Sequence, residues 1–255
     1  MSGAQQLSLF GEAAPETADP AGRRKLIQLG SRVVDFRFTR TRRRTIGVAI
    51  DATGLSVTAP RHAPWIDIES FMREKSRWIL AKLDEWAAAG SPVRIHGITG
   101  ESLPYWGRPV TLAVHTGARH IATDGDHLVL RMRAPEDRAR VRAELIRWLK
   151  LDAMRALKPR AAHYAGLIGR LEPELSISNA RTQWGVCMED GRIRLSWRLV
   201  HLPPVLADYV VAHEIAHLVE LNHSRRFWAV VERLYPDYRE ARRQLDLAAA
   251  SLPVF

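Results

Sequence analysis

Val205-Leu206-Ala207-Asp208-Tyr209-Val210-Val211-Ala212-His213-Glu214-Ile215-Ala216-His217 is apolar at nearly every position until it reaches two histidines four residues apart. A helix apolar on nearly every side belongs in a core rather than on a surface. Residues at i and i+4 lie one above the other on one helical face, so the imidazoles of His213 and His217 can converge on a single metal ion. Glu214 is placed to take a proton from a water held by that metal. His223, six residues further on, supplies a third protein ligand and leaves the fourth position open, as hydrolytic zinc sites require. The expected cofactor is one Zn2+ ion. Asn222 tolerates the left-handed conformation of a helix end and Ser224 can cap a following helix, so a turn there is expected to bring His223 back toward the other two. The competing reading is a buried helix whose histidines merely hydrogen-bond. It leaves two imidazoles and a carboxyl group in the core, which is costly without partners. The spacing equals that of the metzincins, but Glu220 stands where those proteins have a turning glycine, and no methionine turn is evident.

Working outward, the flanking segments read as an α+β protein with small sheets. Leu175-Ser176-Ile177-Ser178, Trp184-Gly185-Val186-Cys187 and Arg192-Ile193-Arg194-Leu195-Ser196-Trp197 are predicted strands, the last two joined as a hairpin over Met188-Glu189-Asp190-Gly191. C-terminal helices are expected from Ser224 to about Leu234 and after Pro236-Asp237. Pro135 opens a long basic helix to about Leu167, with Pro159 as a candidate break. Strand-like runs fill Arg94–Met132, with turns at Trp106-Gly107-Arg108-Pro109 and Asp124-Gly125-Asp126. Further upstream, Leu26–Leu29, Val33–Phe38, Ile46–Ile50 and Leu55–Ala59 read as strands, with Asp51-Ala52-Thr53-Gly54 as a hairpin turn. One helix is expected from Pro64 to about Ala89. No internal repeat is visible.

The chain has 255 residues, enough for one large domain or two small ones. No apolar run approaches the length of a membrane span, and Met1-Ser2-Gly3-Ala4-Gln5-Gln6 lacks the features of a secretory signal, so a soluble cytoplasmic protein is expected. The one cysteine, Cys187, excludes an internal disulfide and a cysteine-based zinc cluster, and reads as a small core residue. His62, His96, His115, His120, His127, His163 and His201 show no pairing at ligand spacing. The net charge of +10 and a pI near 10.4 come mainly from arginine. Arg37, Arg40, Arg42, Arg43 and Arg44 form the densest cluster, and Arg138, Arg140, Arg142, Arg147 and Arg155 decorate the basic helix. Such a surface attracts phosphate and nucleic acid, with Arg40, Arg42, Arg43 and Arg44 the candidate contacts. A GC-rich gene also favours arginine, so composition alone does not assign that role.

Several segments together resemble the YgjP-like metallopeptidase family, relatives of the SprT-like and WLM zinc proteases. They are Trp184-Gly185-Val186-Cys187, Gly191–Leu199, Tyr209–Leu218, Asn222-His223-Ser224 and Phe227-Trp228, with weaker matches at Ala59-Pro60, Lys75–Ile79 and Leu103–Gly107. Val186 departs from the serine more usual in the family before the cysteine. The resemblance implies His213, His217 and His223 as metal ligands, Glu214 as the catalytic base and a peptide or protein as substrate. The resemblance covers roughly residues 30–250, and the chain is expected to divide into a tail at 1–25, a β-rich N-terminal part at 26–133 and a zincin-like core at 134–255.

Residues 1–25 read as a disordered tail. Within it, Gln6-Leu7-Ser8-Leu9-Phe10 resembles the short peptide by which bacterial replication and repair proteins dock on the DNA polymerase sliding clamp. Leu9 and Phe10 would fill an apolar pocket and Gln6 would set register. An apolar cluster packing on its own domain is the alternative. Three functions are compatible with these features. A zinc peptidase acting near DNA leads. A metal-dependent nucleoside triphosphate pyrophosphohydrolase would draw on the arginines but lacks a glycine-rich phosphate loop. A non-enzymatic clamp- or nucleic-acid-binding module would have no need of Glu214.

Overall fold

The computed structural model describes residues 23–42, 44–51, 54–88, 93–181, 183–248 and 252–255. The tail peptide Gln6–Phe10, Arg43 and the turn residues Ala52 and Thr53 lie outside them. The fold is mixed α+β, with small mixed sheets and six helices among the described residues. It divides into two compact units, one made of the chain up to Ser91 with Ala180–Gln183, the other of Pro92–Asn179 with Trp184–Phe255. The second group of strands lies in the same unit as the histidine-bearing helix.

In the first unit, β1 (Arg23–Leu29), β2 (Arg32–Thr41), β3 (Gly47–Asp51) and β4 (Gly54–Pro60) form a sheet in the order β1-β2-β4-β3, with β2 and β4 parallel and the other pairs antiparallel. Alternation decides its faces. Leu55, Val57 and Ala59 of β4 are buried while Ser56 and Thr58 between them are not. The buried face meets Ile68, Met72 and Ile79 from two helices, α1 (Trp65–Glu74) and α2 (Ser76–Ala88). One continuous helix was expected here. The chain instead leaves helical geometry at Lys75 (φ −87°, ψ 6°), whose N–H bonds Phe71 O and whose carbonyl accepts from Ile79 N. The apolar stripe runs through this step undisturbed, which is why periodicity does not reveal it.

In the second unit, β5 (Ser102–Tyr105), β6 (Arg108–Thr116), β7 (His120–Asp124) and β8 (His127–Met132) form a sheet in the order β5-β6-β8-β7, with β6 and β8 parallel. This is the strand order and direction of the first sheet, so a repeat that the sequence hides exists in the topology. The first turn is tighter than expected, only Trp106 and Gly107, because Arg108 and Pro109 already pair with Tyr105 and Pro104.

The basic helix is α3 (Arg138–Leu167), capped by the Asp137 carboxylate on Arg140 N–H. Val141, Leu145, Leu149, Ala153, Leu157 and Ala161 recur every four residues and are buried. The helix continues through Pro159, beside which Arg160 Nη1 donates to Ala156 O at 2.7 Å. A third sheet of β9 (Leu175–Ser178), β10 (Gly185–Cys187) and β11 (Ile193–Ser196) has the order β10-β11-β9 and contains the predicted hairpin. A 3-10 helix at Trp197–His201 replaces the expected strand end and leads to α4 (Pro204–Ala216), which packs on α3. Then follow α5 (Arg225–Leu234) and α6 (Tyr238–Ala248).

Candidate metal centre

Helix α4 presents His213 and Glu214 from its last turn and ends with His217 at its C-cap. The helix was expected to run on toward Asn222. It stops because Leu218 N–H and Val219 N–H turn to Ile215 O and Ala216 O, three residues back, which tightens and closes the last turn. Asn222 is not left-handed. Its Oδ1 accepts from Ser224 N–H at 3.1 Å, and Ser224 Oγ in turn accepts from Phe227 N–H at 3.3 Å, capping α5 as expected. This double cap turns the chain so that His223 faces α4.

The ligand-competent atoms of His213, His217 and His223 all lie within 4.8 Å of one another, the only such cluster found among the described residues. His213 Nε2 and His223 Nε2 are 3.1 Å apart. Two ligands each about 2.0–2.1 Å from a tetrahedral zinc ion would be separated by about 3.3 Å, so these atoms stand close to the spacing one shared ion imposes. His217 Nδ1–H donates to Glu220 O at 3.1 Å, which fixes the tautomer and leaves Nε2 bare. Burial pushes His213 well below its ordinary value, assisted by the charges of His217 and His223. Burial likewise lowers His217 and takes His223 down to about 4. Neutral imidazole is the form that binds a metal. Three nitrogen donors fit a divalent ion such as zinc with one position left open.

Phe227 backs all three rings, at centroid distances of 4.9 Å from His213, 4.4 Å from His217 and 4.7 Å from His223. It is fully buried on α5, so the imidazoles are packed against a wall that α5 carries. Its role was not legible in the sequence beyond its place in the Phe227-Trp228 pair. Arg242 of α6 lies 5.5 Å over the Trp228 ring, and its charge further depresses His213 and His223.

Glu214 is buried against β10. A Cβ at Gly185 would lie 2.5 Å from Glu214 Cγ, so only a glycine lets the carboxyl group settle there. The signal was present, since a glycine inside a strand marks a close approach, but its partner was not readable. Burial pushes Glu214 up to about 8, partly offset by a hydrogen bond from Cys187 N–H. A neighbouring divalent cation acts in the opposite direction. Cys187 itself is half-buried, and burial, then the charges of Glu214 and Asp190, push its thiol up to about 12. A thiol pushed up this far stays protonated near neutral pH.

A profile for the YgjP-like family, metallopeptidase domain, matches residues 44–248. The chain belongs to this family. Membership supports a peptidase-like hydrolase using a metal, typically zinc. Neither a curated protein nor a solved structure matches the chain. No helix among the described residues is long and apolar enough to cross a membrane.

The arginines singled out for phosphate contact lie in the first unit. Arg40 is committed to its own chain, with Nη1 donating to Pro60 O, Arg61 O and Ala63 O at 2.9, 2.9 and 2.8 Å. Arg42 and Arg44 are exposed. On α3, Arg140, Arg147 and Arg155 pair with Asp137, Glu144 and Asp152, and Arg142 donates to His96 O.

Proposed function

We propose that this protein is a zinc-dependent peptidase in which His213, His217 and His223 hold the ion and Glu214 is the general base. The observation that carries the reading is the convergence of three buried or half-buried imidazoles beside a buried carboxyl group. A zinc ion bound there would act as a Lewis acid, polarising the scissile carbonyl and making water a nucleophile near neutral pH. Glu214 takes the proton of the attacking water and delivers it to the departing amine. Cys187 N–H holds the Glu214 carboxylate, and the Glu220 carbonyl holds His217 in register.

Elemental analysis is expected to give one zinc per chain, lost in His217→Ala. Glu214→Gln should keep the metal while hydrolysis of casein falls by about 10²–10⁴-fold. Unchanged hydrolysis removes Glu214 from this role, and turnover of nucleoside triphosphates without casein cleavage would favour a phosphoanhydride substrate. The setting near DNA is part of the same proposal, resting on the Gln6–Phe10 tail and the exposed Arg42 and Arg44. Removing residues 1–12 should abolish binding to the sliding clamp; equal affinity with and without them refutes the tether.

A further inference from the structure

The sheet of the first unit gathers its cations at one end. Arg23 pairs with Phe38, Arg40 with Ala59 and Gly47 with Thr58, so β1 and β3 begin where β2 and β4 finish. That end carries Arg23, Arg24 and Lys25 from β1, Arg42 just past β2, Arg44 shortly before β3 and Arg61 just past β4. At the opposite end Arg32 is neutralised by Asp84 of α2. Arg24 is likewise held by Asp35, and the bonds from Arg40 to the carbonyls of Pro60, Arg61 and Ala63 fix the turn that bears Arg61. Arg23, Arg42, Arg44 and Arg61 are exposed, and none has a carboxylate partner among the described residues. The first turns of α1 add the carboxylates of Asp67 and Glu69, of which Glu69 accepts from Trp65 Nε1–H. Cations gathered with so few counter-charges repel one another, and a bound polyanion relieves that repulsion.

The aromatic side chains at this end narrow the choice of polyanion. Phe36 stacks on Trp65 at a centroid distance of 6.4 Å, Phe38 meets it edge-on at 5.2 Å, and Lys25 Nζ lies 4.1 Å over its ring. Arg40 lies 5.5 Å over Phe38. Phe36 is buried and the other two rings are half-buried, so this end presents cations rather than bare rings. Single strands are held largely by stacking their unpaired bases on aromatic rings, whereas a duplex is gripped through its phosphates. Guanidinium forks match phosphate oxygens. Four strands spaced about 4.8 Å apart make the array about 14 Å across, enough to face several phosphates, which recur every ~3.4 Å along each strand of a duplex. A bilayer surface would instead call for one apolar face. The large apolar side chains exposed in this unit, Leu26, Val33, Ile66 and Trp78, are spread over the sheet and both helices.

We propose that this end of the sheet, through Arg23, Arg42, Arg44 and Arg61, binds the phosphate backbone of a nucleic-acid duplex without reading its sequence. The surface lies wholly within the first unit and needs neither zinc nor turnover. It gives the DNA setting proposed above a contact surface, and its failure leaves the peptidase reading standing.

Fluorescence anisotropy of labelled duplexes of about 20 base pairs, titrated with the full chain, tests it. Wild type should bind two unrelated DNA sequences equally, with a Kd on the order of 1–100 µM at physiological salt. Log affinity should fall against log salt with a slope of about −3 to −4, near −0.9 for each phosphate neutralised. Arg42→Ala with Arg44→Ala, and separately Arg23→Ala with Arg61→Ala, should each flatten that slope by about 2 and weaken binding at least about 10-fold at low salt, with thermal unfolding unchanged. Arg133→Ala with Arg138→Ala removes the same charge from exposed positions of the second unit and should change neither quantity. Duplex RNA of the same sequence, run in parallel, identifies which of the two backbones binds tighter. Equal losses in the control pair would mean diffuse attraction by net charge and overturn the surface. Tighter binding to a single strand of the same length, or binding to phosphatidylserine vesicles without binding to duplex, overturns it too. So does the absence of duplex binding at low salt, while casein hydrolysis by the same preparation decides the peptidase reading separately.

Discussion

Gly185 sets the floor beneath Glu214, because a methyl group added there would meet Cγ at 2.5 Å, Oε1 at 2.7 Å and Cδ at 2.8 Å. Those atoms are buried and cannot swing into solvent, so Gly185→Ala must displace the carboxyl group. The three histidines stand elsewhere, so the metal content proposed for them should not change. The expected outcome is normal zinc content, hydrolysis lowered by about 10²-fold, and a stability loss of about 1–3 kcal/mol from overpacking. Metal analysis, turnover and urea unfolding on one preparation check all three. Full activity in the alanine variant would show that Glu214 is not positioned by this contact. The comparison also shows what a sequence can carry at this scale. His213 and His217 are legible together because helical periodicity puts them on one face. Gly185 and Phe227 touch the same cluster from a strand and another helix, and no spacing rule links those segments to α4.

Trp106 and Asp152 show how elements are joined. Trp106 has φ 46°, a left-handed conformation that costs a bulky residue on the order of 1–2 kcal/mol. It is held there from three sides. Its N–H bonds Val200 O at 2.6 Å, its Nε1–H bonds Asp152 Oδ2 at 2.8 Å, and Arg160 lies 5.4 Å over its ring. Tyr105 OH donates to the same carboxylate oxygen at 2.9 Å, and Arg155 pairs with the other. Asp152 therefore pins the β5–β6 turn to α3, which in turn packs on α4. Asp152→Asn replaces one acceptor with a donor facing Arg155, and should lower the unfolding free energy by about 2–4 kcal/mol in urea while zinc content holds. A loss below about 0.5 kcal/mol would mean the turn is held by its other contacts. The position of this turn was readable from Trp106-Gly107, but its handedness was not, since tryptophan is no turn former. The ends of α4 and α1 were missed for a related reason. Apolar residues continue past both, and an apolar pattern records a buried face rather than where the helical hydrogen bonds stop.

Across the molecule, both four-stranded sheets have the same order of strands, yet their sequences share no visible repeat. Pairing order depends on which backbone edges meet, and many alternating apolar sequences satisfy one order. The stability of the whole chain should carry a pH signature from His201, a histidine outside the three-histidine cluster. It is buried between Trp197 and Phe255, with ring centroids at 5.5 and 5.7 Å, and Nδ1–H donates to Pro104 O at 2.7 Å. Its Nε2 has no hydrogen-bond partner among the described residues. Burial lowers its pKa to about 4, against about 6.5 in an unfolded chain. Between those values the unfolded state binds the proton and the folded state does not, so unfolding gains as pH falls. Its contribution is complete above about pH 6.5 and disappears as pH approaches 4. At pH 5 the loss from His201 alone is about 2 kcal/mol. His213, His217 and His223 shift in the same direction, so wild type alone cannot isolate it. His201→Gln keeps a donor for Pro104 O and does not titrate. The difference in urea unfolding free energy between pH 7 and pH 5 should therefore be about 2 kcal/mol smaller in this variant than in wild type. Equal pH slopes would place the proton uptake elsewhere.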